Sequence, residues 1–324
     1  MLTARRAAAA VAGTLIALFT AACTGHPAAA PADPGPPASV APASPAATGT
    51  PAISGVLYYL APDQPSPLFR STPTGLTRVL AAAGYEVNVS PDGQQVAFIG
   101  DDNELQVTDR DGNHARTVMH GVANEGVEPI WSPDGTRLLV ARLIPNGPGG
   151  TPGIVEVATG RFTPLPHDPG GIHYLWSADG RHLGYATGVC ELGVSDPDGF
   201  NARPVPVLGS TDPKVNPDLR RSCDPFSISP DGSRMAVILH TGDMPDGDIG
   251  RSFGANAVID TRTGASVRLP VTGTVTAVLF QRDGSMLVRS STGLVLLSAD
   301  GTVLARATES AAAEKLLLLA YVPA

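Results

Sequence analysis

Five near-copies of one short turn constrain this chain more than any other feature. Ser90-Pro91-Asp92-Gly93 recurs as Ser132-Pro133-Asp134-Gly135, Ser177-Ala178-Asp179-Gly180, Ser229-Pro230-Asp231-Gly232 and Gln281-Arg282-Asp283-Gly284. The Asp-Gly pairs stand 42, 45, 52 and 52 residues apart, and self-similarity at such a period marks a propeller or a solenoid. An apolar residue precedes each turn: Val89, Trp131, Trp176, Ile228 and Phe280. After it comes a strand apolar at almost every position, such as "VAFIG", "LLVAR" or "MAVIL", the pattern of a strand covered on both faces. A third strand, a second turn and a short fourth strand complete the unit, as in "LQVTDRDGN" followed by "ARTVM".

The turn residues have a mechanical explanation. Proline presets one backbone dihedral, aspartate bonds nearby backbone, and glycine takes a positive φ at little cost. That is the chemistry of a type I turn ending in a left-handed residue, a common connection between antiparallel strands. The last two positions persist where proline is absent, at Asp179-Gly180 and Asp283-Gly284. Paired carboxylates for glycoside chemistry must face one cleft, whereas equivalent turns around a ring point away from one another. Glycine directly follows each aspartate and no tryptophan comes after, which separates these turns from sialidase Asp boxes. The five aspartates are therefore expected to build hairpins.

With these turns and the second turns that follow them, the chain resembles the TolB-like propeller repeats over about residues 54 to 322. The resemblance implies a propeller of four-stranded antiparallel blades, used as a binding platform, with an envelope protein as partner. The segment from Gly55, "GVLYYLAPDQPSPLFRSTPTGLTRVL", has the later strands of a unit but no opening strand, and "KLLLLAYV" from Lys315 is a lone strand after the last complete unit. Pairing them gives six blades in an all-β ring closed by the C-terminal strand, with no open sheet edge.

The start of the chain reads differently. Arg5 and Arg6 precede an apolar run from Ala7 to Ala22, the layout of a secretory signal and short for a membrane span. The run ends in "TAAC", which resembles the signal of a bacterial lipoprotein with Cys23 as the lipidated residue; the leucine often found three positions before the cysteine is Thr20 here. Residues 1–22 are thus expected to be a signal peptide, 23–53 a Pro/Ala-rich tether with nothing large enough to found a core, and 54–324 the propeller. The resemblance implies an extracytoplasmic protein, held to the outer face of the cell membrane by its lipid alone.

The net charge is −8, and near −10 once Arg5 and Arg6 are removed, so nucleic acid is excluded as a partner on electrostatic grounds. The tight turns share one rim of a four-stranded blade. Loops after strands two and four share the other, and the insertions gather there: "IPNGPGGTPG" from Ile144, "LGSTDPKVNPDLRRSCDP" from Leu208 and "HTGDMPDGDIGRSFG" from His240. Variable loops on one rim are where repeat proteins bind. The candidate binding residues are Arg220, Arg221, Asp243, Asp246, Asp248 and Arg251. Cys190 and Cys223 fall on the same rim in neighbouring blades, and an exported chain lets them form a disulfide.

No Gly-x-Ser-x-Gly, His-Glu-x-x-His or Cys-x-x-Cys occurs, and neither lysine, Lys214 or Lys315, completes a phosphate loop. No catalytic residue, metal ligand or cofactor is expected. The expectation is a monomeric, non-catalytic binding or scaffold module at the cell envelope. The alternative is a small-ligand or carbohydrate-binding propeller, with or without catalysis, whose site lies in the central channel.

Overall fold

Each tight turn closes as its residues dictate. Gly135 sits at φ +69°, and its N–H donates to the Ser132 carbonyl at 2.8 Å. The Ser132 hydroxyl donates to Asp134 Oδ1 at 2.6 Å and accepts the Arg137 N–H at 3.0 Å, while the Thr136 N–H also donates to Oδ1 at 3.1 Å. The same serine and aspartate bonds recur at Ser90 and Asp92, Ser177 and Asp179, and Ser229 and Asp231. Gln281 breaks the serine pattern, and there Asp283 keeps the Ser285 N–H at 2.9 Å.

The computed structural model describes residues 51–324 apart from 64–65, 84–85, 101, 124–127, 146–148 and 243–252. They belong to one compact unit, Gly49–Ala324, built of six four-stranded sheets. Blade I holds β1 (Gly55–Leu60), β2 (Leu68–Thr72) and β3 (Gly75–Leu80). Blade II holds β4 (Val87–Val89), β5 (Gln95–Ile99), β6 (Glu104–Asp109) and β7 (Arg116–His120). Blade III holds β8 (Ile130–Trp131), β9 (Arg137–Leu143), β10 (Gly150–Glu156) and β11 (Phe162–Pro164). Blade IV is β12 (Gly171–Trp176), β13 (Leu183–Thr187), β14 (Leu192–Ser195) and β15 (Arg203–Pro204). Blade V is β16 (Pro225–Ile228), β17 (Arg234–Val237), β18 (Ala257–Asp260) and β19 (Ser266–Val267). Blade VI is β20 (Val275–Phe280), β21 (Met286–Ser290), β22 (Gly293–Leu297) and β23 (Val303–Ala307).

The last strand, β24 (Leu317–Pro323), supplies the inner strand that blade I lacks. It runs antiparallel to β1, with Val56 opposite Val322 and Leu60 opposite Leu317. The two ends of the propeller thus share one sheet, as the unmatched segments at Gly55 and Lys315 implied.

Burial follows position in the blade. The second strands are nearly continuous core: β21 is buried at every residue and β9 over Leu138 to Ala141. Outer strands such as β11 and β7 are exposed or half-buried. The apolar residues sort into six clusters, one per junction between neighbouring blades. Trp131 and Leu138 meet Val107 between blades II and III, Met235 and Ile259 meet Leu192 between IV and V, and Tyr59 and Leu318 meet Leu287 between VI and I. Each fully buried leucine or methionine contributes roughly 1.5–3 kcal/mol, and a closed ring leaves no blade without two such neighbours. Gly193 shows how tightly the sheets fill: it lies opposite Tyr185, whose ring occupies the space a Cβ would need.

Candidate functional site

The antiparallel order of each blade places the β-hairpin turns after strands one and three on one rim, and the loops after strands two and four on the other. The loop rim carries the expected disulfide. Cys190, between β13 and β14, is bonded to Cys223, just before β16, across 33 residues of sequence, with the Cα atoms 4.2 Å apart. Cys190 takes a left-handed φ of +62°, and both cysteines are buried.

Between them, residues 210–220 are organised around one amide. Asn216 is 1% exposed. Its Nδ2 donates to the Ser210 and Arg220 carbonyls, each at 2.9 Å, and its Oδ1 accepts the Arg220 N–H at 2.8 Å. Arg221 exchanges backbone bonds with His240 at 3.1 and 2.9 Å, tying this loop to the next. Of the candidate binding residues, Arg220 and Arg221 are half-buried, and the Arg220 guanidinium donates to Ser266 Oγ at 2.9 Å. Arg220 therefore also holds its loop to β19. Asp243, Asp246, Asp248 and Arg251 lie outside the described residues.

The loop rim also collects apolar surface that the sequence did not single out. Leu143 ends β9 and Ile144 follows it, Val189 lies between β13 and β14, and Val215 lies in the Asn216 loop; they are 36, 43, 69 and 51% exposed. All four sit on blades III and IV or on the connection into blade V. Such residues are visible in the sequence, but their exposure is not, because a lone valine in a loop reads the same whether it packs or protrudes. Glu128 and Asp224 were also passed over. Like His173, they are buried in or just before inner strands.

On the tight-turn rim the carboxylates are engaged within their own hairpins. The Ser132 hydroxyl holds the Asp134 carboxyl below its ordinary range, and the hydroxyl and N–H of Ser285 do the same for Asp283. For Asp231, burial pushes upward, and the bonds from Ser229 and Ser233 outweigh it. Two of the turn carboxylates, Asp92 and Asp283, border one cavity, but among the described residues no three His, Cys, Asp or Glu side chains are grouped to hold a metal ion.

The central channel opens on this rim as a cavity of about 830 Å³. Its wall is mainly apolar and aromatic, with Trp131, Trp176, Phe226, Ile228, Phe280 and Leu319 among the lining side chains. Asp92, Arg282 and Asp283 stand at the mouth, all exposed. A smaller cavity of about 170 Å³ adjoins it between blades III and IV and shares Pro133, Trp176 and Arg282. There the Arg137 guanidinium lies over the Trp176 ring, 5.8 Å from its centre.

Six blades, one of them built from the first and last strands of the described residues, around one open channel define a six-bladed β-propeller. No protein-family model matches the chain, and no curated protein matches it. Among solved structures, the chain is similar to TolB from Acinetobacter baumannii at 19% identity and a TM-score of 0.48, over 79% of this chain and 64% of that one. It therefore spans less than two thirds of that TolB chain. It is also similar to a chain of a nidogen/laminin complex at 10% identity and a TM-score of 0.50, covering 83% of this chain and 97% of that one. An oligogalacturonate lyase in complex with manganese is similar at 15% identity and a TM-score of 0.47, over 79% of this chain and 76% of that one. At these identities the likeness is one of fold.

Proposed function

We propose that the protein is a non-catalytic binding module, exported and held to the cell envelope through a lipid on Cys23, which docks another envelope protein on its loop rim. One observation carries the reading. Four of the six large apolar residues exposed among the described residues, Leu143, Ile144, Val189 and Val215, fall on that rim in neighbouring blades. Exposed apolar side chains gathered beside cationic ones have the make-up of a protein interface. The Cys190–Cys223 bond and the Asn216 hydrogen bonds hold the platform in one shape, which lowers the ordering cost of binding.

The test is capture of partners from solubilised envelope by the full chain, compared with Ile144→Asp, Val189→Asp and Val215→Asp. These exposed sites tolerate charge, so melting temperature is expected to stay within about 1 °C of wild type while capture falls at least tenfold. Undiminished capture by all three variants refutes the docking face. Equal incorporation of labelled fatty acid into wild type and Cys23→Ala refutes the anchor independently.

A further inference from the structure

The channel on the opposite rim takes no part in that docking, yet it has the features of a site. At about 830 Å³ it lies within the range of small-molecule pockets, which pair an apolar wall with a few placed polar groups. Here the polar groups are specific. Among the described residues the Asn88 amide and the Trp176 indole N–H have no hydrogen-bond partner, although both line the cavity. The Trp131 indole is occupied by the Asn88 carbonyl at 3.3 Å, and the Ser227 hydroxyl by the Val278 carbonyl at 2.6 Å. Asn88 and Trp176 thus bring donors without a protein partner to the lining of a mainly apolar space, and water there gives up hydrogen bonds that a ligand of matching shape does not need.

Charge decides the class of ligand. No charged side chain lining the cavity is buried: Asp92, Arg282 and Asp283 are exposed at its mouth. An ion drawn into the channel would lose its hydration with no buried counter-charge to replace it. Carboxylates and a guanidinium stand together at the entrance, so neither sign of charge is favoured there. We propose that the channel's tight-turn mouth is a binding site for an uncharged, largely apolar small molecule that presents a hydrogen-bond acceptor, such as a carbonyl, to Asn88 and Trp176. The remainder of such a molecule packs against Leu175, Ile228, Leu279 and Phe280.

The protein reports on this site itself. Its two tryptophans, Trp131 and Trp176, both line the cavity, so occupancy quenches the whole tryptophan emission. The probes are Nile red, uncharged with a carbonyl acceptor, pyrene, uncharged with none, and the anionic anilinonaphthalene sulfonate, each titrated into the full chain. Nile red is expected to bind one per chain with tryptophan quenching, and at least tenfold more tightly than the sulfonate. Ala320→Phe, which fills the channel from β24, is expected to weaken Nile red and pyrene tenfold or more. Asn88→Leu is expected to weaken Nile red threefold or more and leave pyrene unchanged. If Ala320→Phe fails to fold, the contrast between the two probes in Asn88→Leu decides alone. Absence of Nile red binding, equal binding of the sulfonate, or an equal response of both neutral probes to Asn88→Leu overturns the proposal. None of these outcomes bears on envelope capture by the other rim.

Discussion

Arg289 is the place where ring closure can be weakened without altering either of the strands, β1 and β24, that pair to close it. It lies on β21 of blade VI with its side chain 9% exposed, and its Nε donates to Glu309 Oε2 at 2.7 Å; the Glu309 side chain is 4% exposed. The other guanidinium nitrogens reach forward to the residues that lead into β24, Nη1 to the Leu316 carbonyl and Nη2 to the Ala313 carbonyl at 2.8 Å. The same guanidinium lies 5.8 Å from the centre of the Tyr59 ring on β1. One side chain thus joins blade VI to both chain segments that make blade I. Arg289→Met keeps much of the apolar stem but leaves a buried carboxylate with no counter-charge, and removing one partner of a buried pair costs about 3–5 kcal/mol. At about 2 °C per kcal/mol for a domain of this size, the expected loss is about 6–10 °C in melting temperature, followed by circular dichroism. Replacing both partners by apolar residues removes the stranded charge, so Arg289→Met with Glu309→Leu is expected to recover at least half of that loss. A single variant within 2 °C of wild type, or a double variant no better than the single, refutes the argument that this pair secures the closure.

Reduction of Cys190–Cys223, which closes a loop of 33 residues, costs about 4 kcal/mol in the chain-entropy model. The reductant is thus expected to lower the melting temperature by about 8 °C, and an unchanged melt refutes the estimate. Five tyrosines, Tyr58, Tyr59, Tyr174, Tyr185 and Tyr321, are pushed above the ordinary value of 10.0, in each case first by burial; the Asp168 carboxylate adds to this at Tyr174 and the charge of Glu309 at Tyr59. The folded state then holds its phenolic protons where the unfolded chain releases them, so stability is full below pH 10 and falls as pH rises above it. Thermal melts that stay flat from pH 8 to pH 11 refute this.

The architecture was legible because the device that builds it is local. An aspartate Oδ1 and a left-handed glycine, joined in four of the five turns by a serine hydroxyl, close each hairpin with atoms from half a dozen consecutive residues, so five hairpins could be recognised with no knowledge of what they pack against. The closing strand was legible by subtraction, since β1 lacked a preceding inner strand and β24 lacked a unit of its own. What escaped depends on contacts between blades. Arg289 is a cation inside the apolar run "MLVRS", a visible anomaly, but its partner Glu309 lies beyond two further strands and is identified only when β24 turns back toward blade I. Asn216 looks like any loop amide until the chain curls around it. The channel site is the extreme case, because Asn88, Trp176 and Leu279 come from three blades and share no sequence signal. Each belongs to a repeat position, two or one before its turn, at which other blades carry Ile130, Leu175 or Val89. The repeat that makes the fold readable therefore hides the site, since the residues that give the channel its character are those by which one copy differs from the next.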